Sequence, residues 1–421
     1  MSGRERSKLL VRQSDVTEGA VTAQRIRSRN RRLVLDTLWD AGTTTRPELR
    51  LSVDLAKSTV KGITDDLIRD GLVDEVQIAE PVRRQGRPPG FLRISTKRGH
   101  LIAVDVGAEK VIVRVSALSG HTLAQREHHF GPVVPRQSDV FRALRELTDQ
   151  VRLEARTDSV LAVAIGTPGV VSPHDGSVTL APQIEGWNGL RLDQEVATMM
   201  SVPREYVVVE RQADLAAVAE GRDGAAQGAA SVFYVHLGVG LGSAILLDNH
   251  LYRGHGGAAG EIGYLPHHFD EPVPPDSGMG SWEWAAGGLA FARHGRAAAM
   301  GARGTMLREL AGGDPDAVDA RIVFAADSAG DPAASDIIDR LTERLAIGIA
   351  SGVCVLAPDR VILAGGLSRA GDRLLQPLER SLRGLVPVMP ELRVSRFGDE
   401  GVVTGAVYRA AQHALDIIGA E

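Results

Sequence analysis

Apolar residues at helical spacing organise the first hundred positions. Leu35, Leu38 and Trp39 recur at i, i+3 and i+4 and predict a helix that Ala41-Gly42 ends. Thr45-Arg-Pro-Glu48 has the pattern of a capping box, with Pro47 in the first turn where its missing N–H does no harm, so a second helix begins there. A third helix is expected from about Ala56 to Arg69, with Val60, Ile63 and Leu67 on its inner face and Gly71 stopping it. Val73 to Ile78 and Phe91 to Ile94 read as the strands of a hairpin. The loop between them, Pro81 to Gly90, is too basic and too rich in proline and glycine to be core. Residues 1–24 carry no clean apolar period and read as a flexible arm.

From His100 the pattern changes to continuous apolar runs. Leu101 to Asp105, Val111 to Val115, Val160 to Ile165, Glu205 to Val209, Ser231 to His236 and Arg360 to Ala364 read as buried strands, several of them entering glycine turns. Residues 285–355 are alanine-rich and mostly helical, and 402–418 form a closing helix. Strands alternating with helices imply α/β layers, and the repeated strand-plus-glycine turn points to a two-lobed nucleotide-binding scaffold. The expected domains are the arm at 1–24, a helix-and-hairpin unit at 25–96 and a body at 97–421. The body divides into lobes of about 97–215 with the C-terminal helix, and 216–400.

Charge sharpens this division. The chain's formal net charge is −5, yet residues 1–100 hold 20 Lys and Arg against 13 Asp and Glu, while the remainder hold 28 against 40. A basic first quarter on an acidic body points to an anionic partner for the first quarter alone. No run of about 18 uncharged apolar residues is present, so no membrane span is expected. A single cysteine, Cys354, excludes an internal disulfide and a cysteine-rich zinc site. The N-terminus lacks the apolar core of a secretory signal, and a cytoplasmic location is expected.

Three helices followed by a β-hairpin is the winged helix-turn-helix arrangement, in which the third helix enters the major groove N-terminus first. That places Lys57, Ser58, Thr59 and Lys61 at base edges and phosphates. In the basic loop, Gly86-Arg87-Pro88-Pro89 presents one guanidinium on a narrow, rigid tip suited to the minor groove, with Arg83 and Arg84 holding nearby phosphates. The competing reading is a solvated charged face, which the basic loop makes less economical.

This segment resembles the N-terminal domain of ROK-family repressors, whose wing often carries a Gly-Arg-Pro string, and the resemblance covers about residues 25–415. Gly166-Thr-Pro-Gly169, Glu185-Gly-Trp187, the long string Arg253 to Gly263 and Leu363-Ala-Gly-Gly-Leu-Ser368 all carry it. The resemblance implies an actin-like ATPase (ribonuclease H-like) body of two lobes around a cleft. It also implies that Gly169, Arg211, Gln212, Glu261, Tyr264 and Glu283 occupy ligand-site positions, with Glu261 and Glu283 matching carboxylates that accept from sugar hydroxyls.

The departures from the family's kinases matter more. Where those read Glu-Asn-Asp-Ala-Asn, this chain reads Glu210-Arg-Gln-Ala-Asp214. The base position is Gln212, and an amide cannot take a proton from a sugar hydroxyl near neutral pH. The family's phosphate loop Asp-x-Gly-Gly-Thr is here Asp105-Val-Gly-Ala-Glu109. At about 4 Å and an effective dielectric near 20, a carboxylate facing phosphate is worth roughly 4 kcal/mol of repulsion per charge pair. The loop Gly238 to Gly242 reads equally well as a phosphate loop or a tight turn. The zinc cysteines are absent from Pro274 to Glu283, and Tyr264 stands for the zinc histidine, so no metal is expected; His267-His268 is an adjacent pair whose side chains would point apart.

Arg211 is left with three readings: pairing with Glu261 or Glu283, selecting an anionic ligand such as a sugar phosphate or sugar acid, or closing an empty pocket. The chain is thus expected to be a DNA-binding transcriptional regulator of repressor type, without enzyme activity or cofactor. It would act as a homodimer or homotetramer on a pseudo-palindromic duplex operator, in response to a sugar or sugar derivative. Its rivals are an active sugar kinase with a DNA-binding extension, and a DNA-binding protein whose body only oligomerises.

Overall fold

The computed structural model describes residues 25–77, 90–131, 134–157, 159–267 and 271–420. The arm at 1–24 and most of the basic loop lie outside the described residues.

The N-terminal unit begins with helix α1 over 25–41, whose Val34, Leu35, Leu38 and Trp39 are buried. A short strand, β1 (Thr43–Thr45), precedes α2 (Arg46–Val53). The capping box at its start is complete: Thr45 Oγ1 accepts from Glu48 N at 3.4 Å, and the Glu48 carboxylate accepts from Thr45 N at 2.9 Å. Helix α3 (Lys57–Arg69) buries Val60, Ile63 and Leu67 and is followed by Gly71 at φ +71. Strands β2 (Val73–Val76) and β3 (Phe91–Ile94) follow. The wing is three-stranded, in the order β1-β3-β2, not a bare hairpin. Its extra strand is a run of β-branched threonines, too short for sequence periodicity to reveal.

The first lobe holds β4 (His100–Val106), β5 (Lys110–Ala117), β6 (Thr122–His129), α4 (Gln137–Ala155), β7 (Val160–Thr167), the small pair β8 (Val170–Val171) and β9 (Val178–Thr179), α5 (Leu192–Met200) and β10 (Val207–Arg211). Its sheet runs β10-β7-β4-β5-β6, with β4, β7 and β10 parallel. The strand expected from Glu205 begins at Val207, because Arg204–Tyr206, directly after Pro203, form a 3-10 turn. Helix α6 (Gln212–Asp223) leads to the second lobe, with β11 (Ser231–Leu237), β12 (Leu241–Leu247) and β13 (His250–Leu251).

The helical stretch expected over 285–355 resolves into α7 (Ser281–Ala286), α8 (Gly288–Met300), α9 (Thr305–Leu310), α10 (Ala320–Ser328) and α11 (Pro332–Leu356). The chain closes with β14 (Arg360–Ala364), α12 (Asp372–Arg383), β15 (Glu391–Val394) and α13 (Gly401–Ala420). The second sheet runs β13-β12-β11-β14-β15.

Helices α6 and α13 pack on each other; α13 covers β4 and β7 of the first sheet, and α6 covers β12 of the second. One apolar cluster joins Leu35, Leu38, Leu49, Leu67 and Leu92 of the N-terminal unit to Leu101, Leu215, Val407, Ala411 and Leu415 of the body. The head therefore shares a core with the first lobe instead of hanging from a linker. No helix among the described residues is long and apolar enough to cross a membrane.

Candidate functional site

Two regions hold the residues singled out by the sequence. In the head, Lys57, Ser58 and Lys61 are exposed and Thr59 half-buried on the first turns of α3. Ala56 at its N-cap supplies no side-chain acceptor, and no acidic residue lies in the first turn, so the helix's positive end remains open to an anion. Lys61 bonds Asp65 at 2.6 Å, an exposed pair that a phosphate can compete for. Sequence reading missed how α3 is fixed. Arg27 and Arg31 of α1 reach Asp66 and Asp70 at 2.7 and 2.8 Å, and Arg46 spans Asp65 and Glu75, tying α2 and the wing to the same helix. Arg83, Arg84, Gly86 and Arg87 lie outside the described residues.

In the body, the carboxyl ends of the parallel strands lie level: Asp105 pairs with Gly166 across β4 and β7, and Arg211 with Thr167 across β7 and β10. Open α/β sheets place ligands at this edge. Gln212, first residue of α6, donates from Nε2 to Asp105 Oδ1 at 2.6 Å, and its amide stands over the turn at Gly107. Burial pushes the Asp105 carboxyl up to about 6, against the opposing bond from Gln212. Glu109 is exposed on the same turn, and its charge reaches Arg321 on α10 in the opposite lobe.

Arg211 resolves its three readings in favour of pairing, and its main partner is one the sequence did not single out. Its guanidinium grips Asp214 through Nε and Nη2 at 2.9 and 2.6 Å, reaches Glu261 through Nη1 at 2.7 Å, and donates to the Ala259 carbonyl at 2.6 Å. The side chain is 5% exposed. Burial works against its charge, but Asp214 and then Glu261 outweigh it and hold the guanidinium above its ordinary pKa. One oxygen of Glu261 is therefore already bound to a cation.

Glu283 is buried and accepts from Leu241 N at 3.1 Å. Burial raises its pKa, opposed by backbone bonds from Leu241 and Gly280, and the Glu261 charge adds to the rise. Tyr264 lies within reach of both glutamates and is likewise pushed up, chiefly by burial. Its hydroxyl donates to the Gly278 carbonyl at 2.8 Å, holding the loop that carries zinc ligands in the family's metal-binding members. Among the described residues no cluster has the composition to hold a metal ion. His267 is described, and His268 lies outside the described residues.

Gly169 sits at φ +87, where a side-chain carbon would stand 2.4 Å from the Thr179 carbonyl, so its position is dictated by the β8–β9 pair. Trp187 Nε1 donates to Thr167 Oγ1 at 2.8 Å, which joins two of the family-like strings into one buried unit. The Gly238 to Gly242 loop is the β11–β12 hairpin turn, and the carbonyls of Gly238 and Val239 accept from Gly288 and Leu289 at the start of α8.

A sequence model of the ROK family matches residues 101–413. A protein of Caldicellulosiruptor bescii named xylose repressor is 27% identical over 384 residues, covering 90% of this chain and 94% of its own. A glucokinase of Streptomyces coelicolor is 31% identical over 287 residues, covering 68% of this chain and 87% of its own. The crystal structure of a ROK-family transcriptional regulator, described as a homologue of the E. coli MLC protein, superposes with a TM-score of 0.74 over 94% of this chain and 99% of that one, at 23% identity. The repressor and regulator matches are long enough to require the N-terminal quarter, whereas the glucokinase match is no longer than the body.

Proposed function

The chain belongs to the ROK family, and on that footing we propose that it is a DNA-binding transcriptional repressor whose kinase-derived body senses a small ligand and performs no phosphoryl transfer. The observation that carries this is the corner between β10 and α6. The base position is an amide bonded to Asp105, and Arg211 beside it is bonded to Glu261, a carboxylate that the family resemblance gives to the sugar. Asp214, the carboxylate two residues on, is 2% exposed and held through both oxygens by Arg211, so it is shut away from a bound hydroxyl and committed to a cation. The exposed, uncapped first turn of α3 and the basic first quarter of the chain support duplex binding.

The protein acts as a homodimer or homotetramer in which a pair of α3 helices addresses half-sites about 34 Å apart, or a multiple of that, on a pseudo-palindromic site. Ligand binding in the body alters the pose of the heads, and a coupling of roughly 1–3 kcal/mol shifts DNA affinity about 5- to 150-fold. The Caldicellulosiruptor relative is named for xylose, which makes a pentose the first ligand to try.

The test is fluorescence anisotropy of the full chain on fragments from its own upstream region and on random duplex, at several salt concentrations. Salt-sensitive preference for a pseudo-palindromic fragment is expected, and equal binding to all duplexes would sink the proposal. Incubation with ATP and D-xylose or D-glucose is expected to yield no sugar phosphate.

A further inference from the structure

We propose that the body carries a second ligand site, separate from the kinase-type cleft, fitted to a neutral polyhydroxylated molecule of one or two sugar rings. It is a cavity of about 400 Å3 against the outer edge of β10, closed on one side by the turn between β8 and β9. That volume lies in the range of small-molecule pockets, roughly 300–1,000 Å3. None of Gly169, Arg211, Gln212, Glu261, Tyr264 or Glu283 lines it; the two sites touch only at Asp214, which Arg211 grips.

The polar groups facing this cavity are arranged for hydroxyls. Asp193 is 6% exposed; its Oδ2 accepts from Arg204 Nε at 2.5 Å, while its buried Oδ1 makes no hydrogen bond and has Arg191 Nε as an ion-pair neighbour at 3.5 Å. A buried carboxylate oxygen without a hydrogen bond is costly even beside a cation, and a ligand hydroxyl relieves that cost. Donors face it. Arg253 spends Nε and Nη2 on Glu210, at 3.1 and 2.6 Å, and Arg409 spends Nε on the same carboxylate at 2.8 Å. Among the described residues, Nη1 of Arg253 and both Nη of Arg409 have no protein acceptor and are available to ligand oxygens. The outer edge of β10 is the end of its sheet, and pairs with no strand among the described residues.

Charge selects the class. Each carboxylate lining the cavity is already paired: Asp193 with Arg204 and Arg191, Asp175 with Arg191, Glu210 with Arg253 and Arg409, and Asp214 with Arg211. A carboxylate oxygen in need of a donor disfavours an anion and spare guanidinium donors disfavour an amine, whereas a hydroxyl both donates and accepts, so the site favours a polyol.

The site also reaches the DNA-binding head, a step that rests on the function proposed above, although binding itself does not. Arg409 belongs to α13, and the same helix holds Arg32 of α1 through the Gln412 carbonyl at 3.1 Å and through Asp416. A ligand that recruits Arg409 therefore bears on the helix that seats the head.

The experiment is calorimetric titration of the full chain with D-xylose, D-glucose and cellobiose, alongside Asp193→Asn and His174→Trp. The second variant fills the cavity from its exposed turn and leaves the core untouched. At least one sugar should bind, and each variant should weaken it by about tenfold or more, the worth of a hydrogen bond to a charged group. Three outcomes overturn the site: no binding of any of the three sugars, binding unchanged in both variants, or binding lost in Glu261→Gln but kept in His174→Trp. Repeating the anisotropy measurement with the bound sugar separates the two ideas. Binding without change in DNA affinity overturns the link through Arg409 alone, and absence of any DNA preference overturns the repressor reading and leaves the site standing.

Discussion

At the scale of single residues, two substitutions define the cleft, and they differ in how readable they were. Gln212 could be interpreted from its identity, because an amide lacks a basic lone pair wherever it points. Arg211 could not, since its meaning depends on which acid it meets, and the acid is Asp214, across the corner from strand to helix. Replacing Arg211 with Asn should destabilise the protein by about 3–5 kcal/mol, because it leaves Asp214 buried without its cation. Adding Asp214→Asn should recover much of that loss, which a double-mutant cycle in urea would measure. A single-variant cost below about 1 kcal/mol would show the pair to be incidental.

Asp105 gives a pH-dependent outcome. Its folded carboxyl stands at about 6 against an ordinary 3.8, so the native state holds its proton more tightly than the unfolded chain. Stability from this group is present below about pH 4 and lost as pH rises through 6. Asp105→Asn keeps an oxygen for Gln212 and removes the buried charge. It should raise stability by up to about 3 kcal/mol at pH 8, with the gain vanishing near pH 3. An equal effect at both pH values in denaturant melts would contradict this account.

At the scale of elements, local signals were strong where the chemistry is local. The capping box at Thr45 needs only four consecutive residues, and it is present with both of its bonds. Thr45→Ala should lower the unfolding free energy by about 1 kcal/mol, read as a shift in urea midpoint at constant slope. Strand β1 escaped notice because three residues carry no period. β10 starts two residues later than its apolar content suggests, because that content does not register the turn after Pro203. The glycine-rich loop read two ways in sequence, and the hairpin register of β11 with β12 makes it a turn whose carbonyls receive α8.

At the scale of the whole molecule, the head and the body meet through Trp39. It is 8% exposed, donates from Nε1 to the Leu118 carbonyl at 2.7 Å and meets Tyr408 edge-on at 5.8 Å. Arg222, from the end of α6, stacks on it at 3.6 Å and pairs with Asp40 at 2.9 Å. Helix α6 thus begins at the cleft with Gln212 and ends on the DNA-binding head. Trp39→Ala should cost about 3–5 kcal/mol through the cavity it leaves. It should also separate the unfolding of the head from that of the body, seen as a second transition by calorimetry where the wild-type chain has one. A variant that still unfolds in a single step would show that the seam is held elsewhere.

The amino-acid order by itself determined the local elements, the basic head on an acidic body, the kinship with the ROK family and the absence of a base at position 212, because each is written in side-chain identity or in short-range spacing. Tertiary structure alone decided that Arg211 pairs with Asp214 and Glu261, that the head shares a core with the first lobe and that a separate polar cavity lies behind β10. Those features join residues such as 211 and 261, 39 and 118, and 32 and 416. Contacts between positions so far apart arise only when the folded chain brings them together, and no local pattern of hydrophobicity or charge encodes which of them will meet.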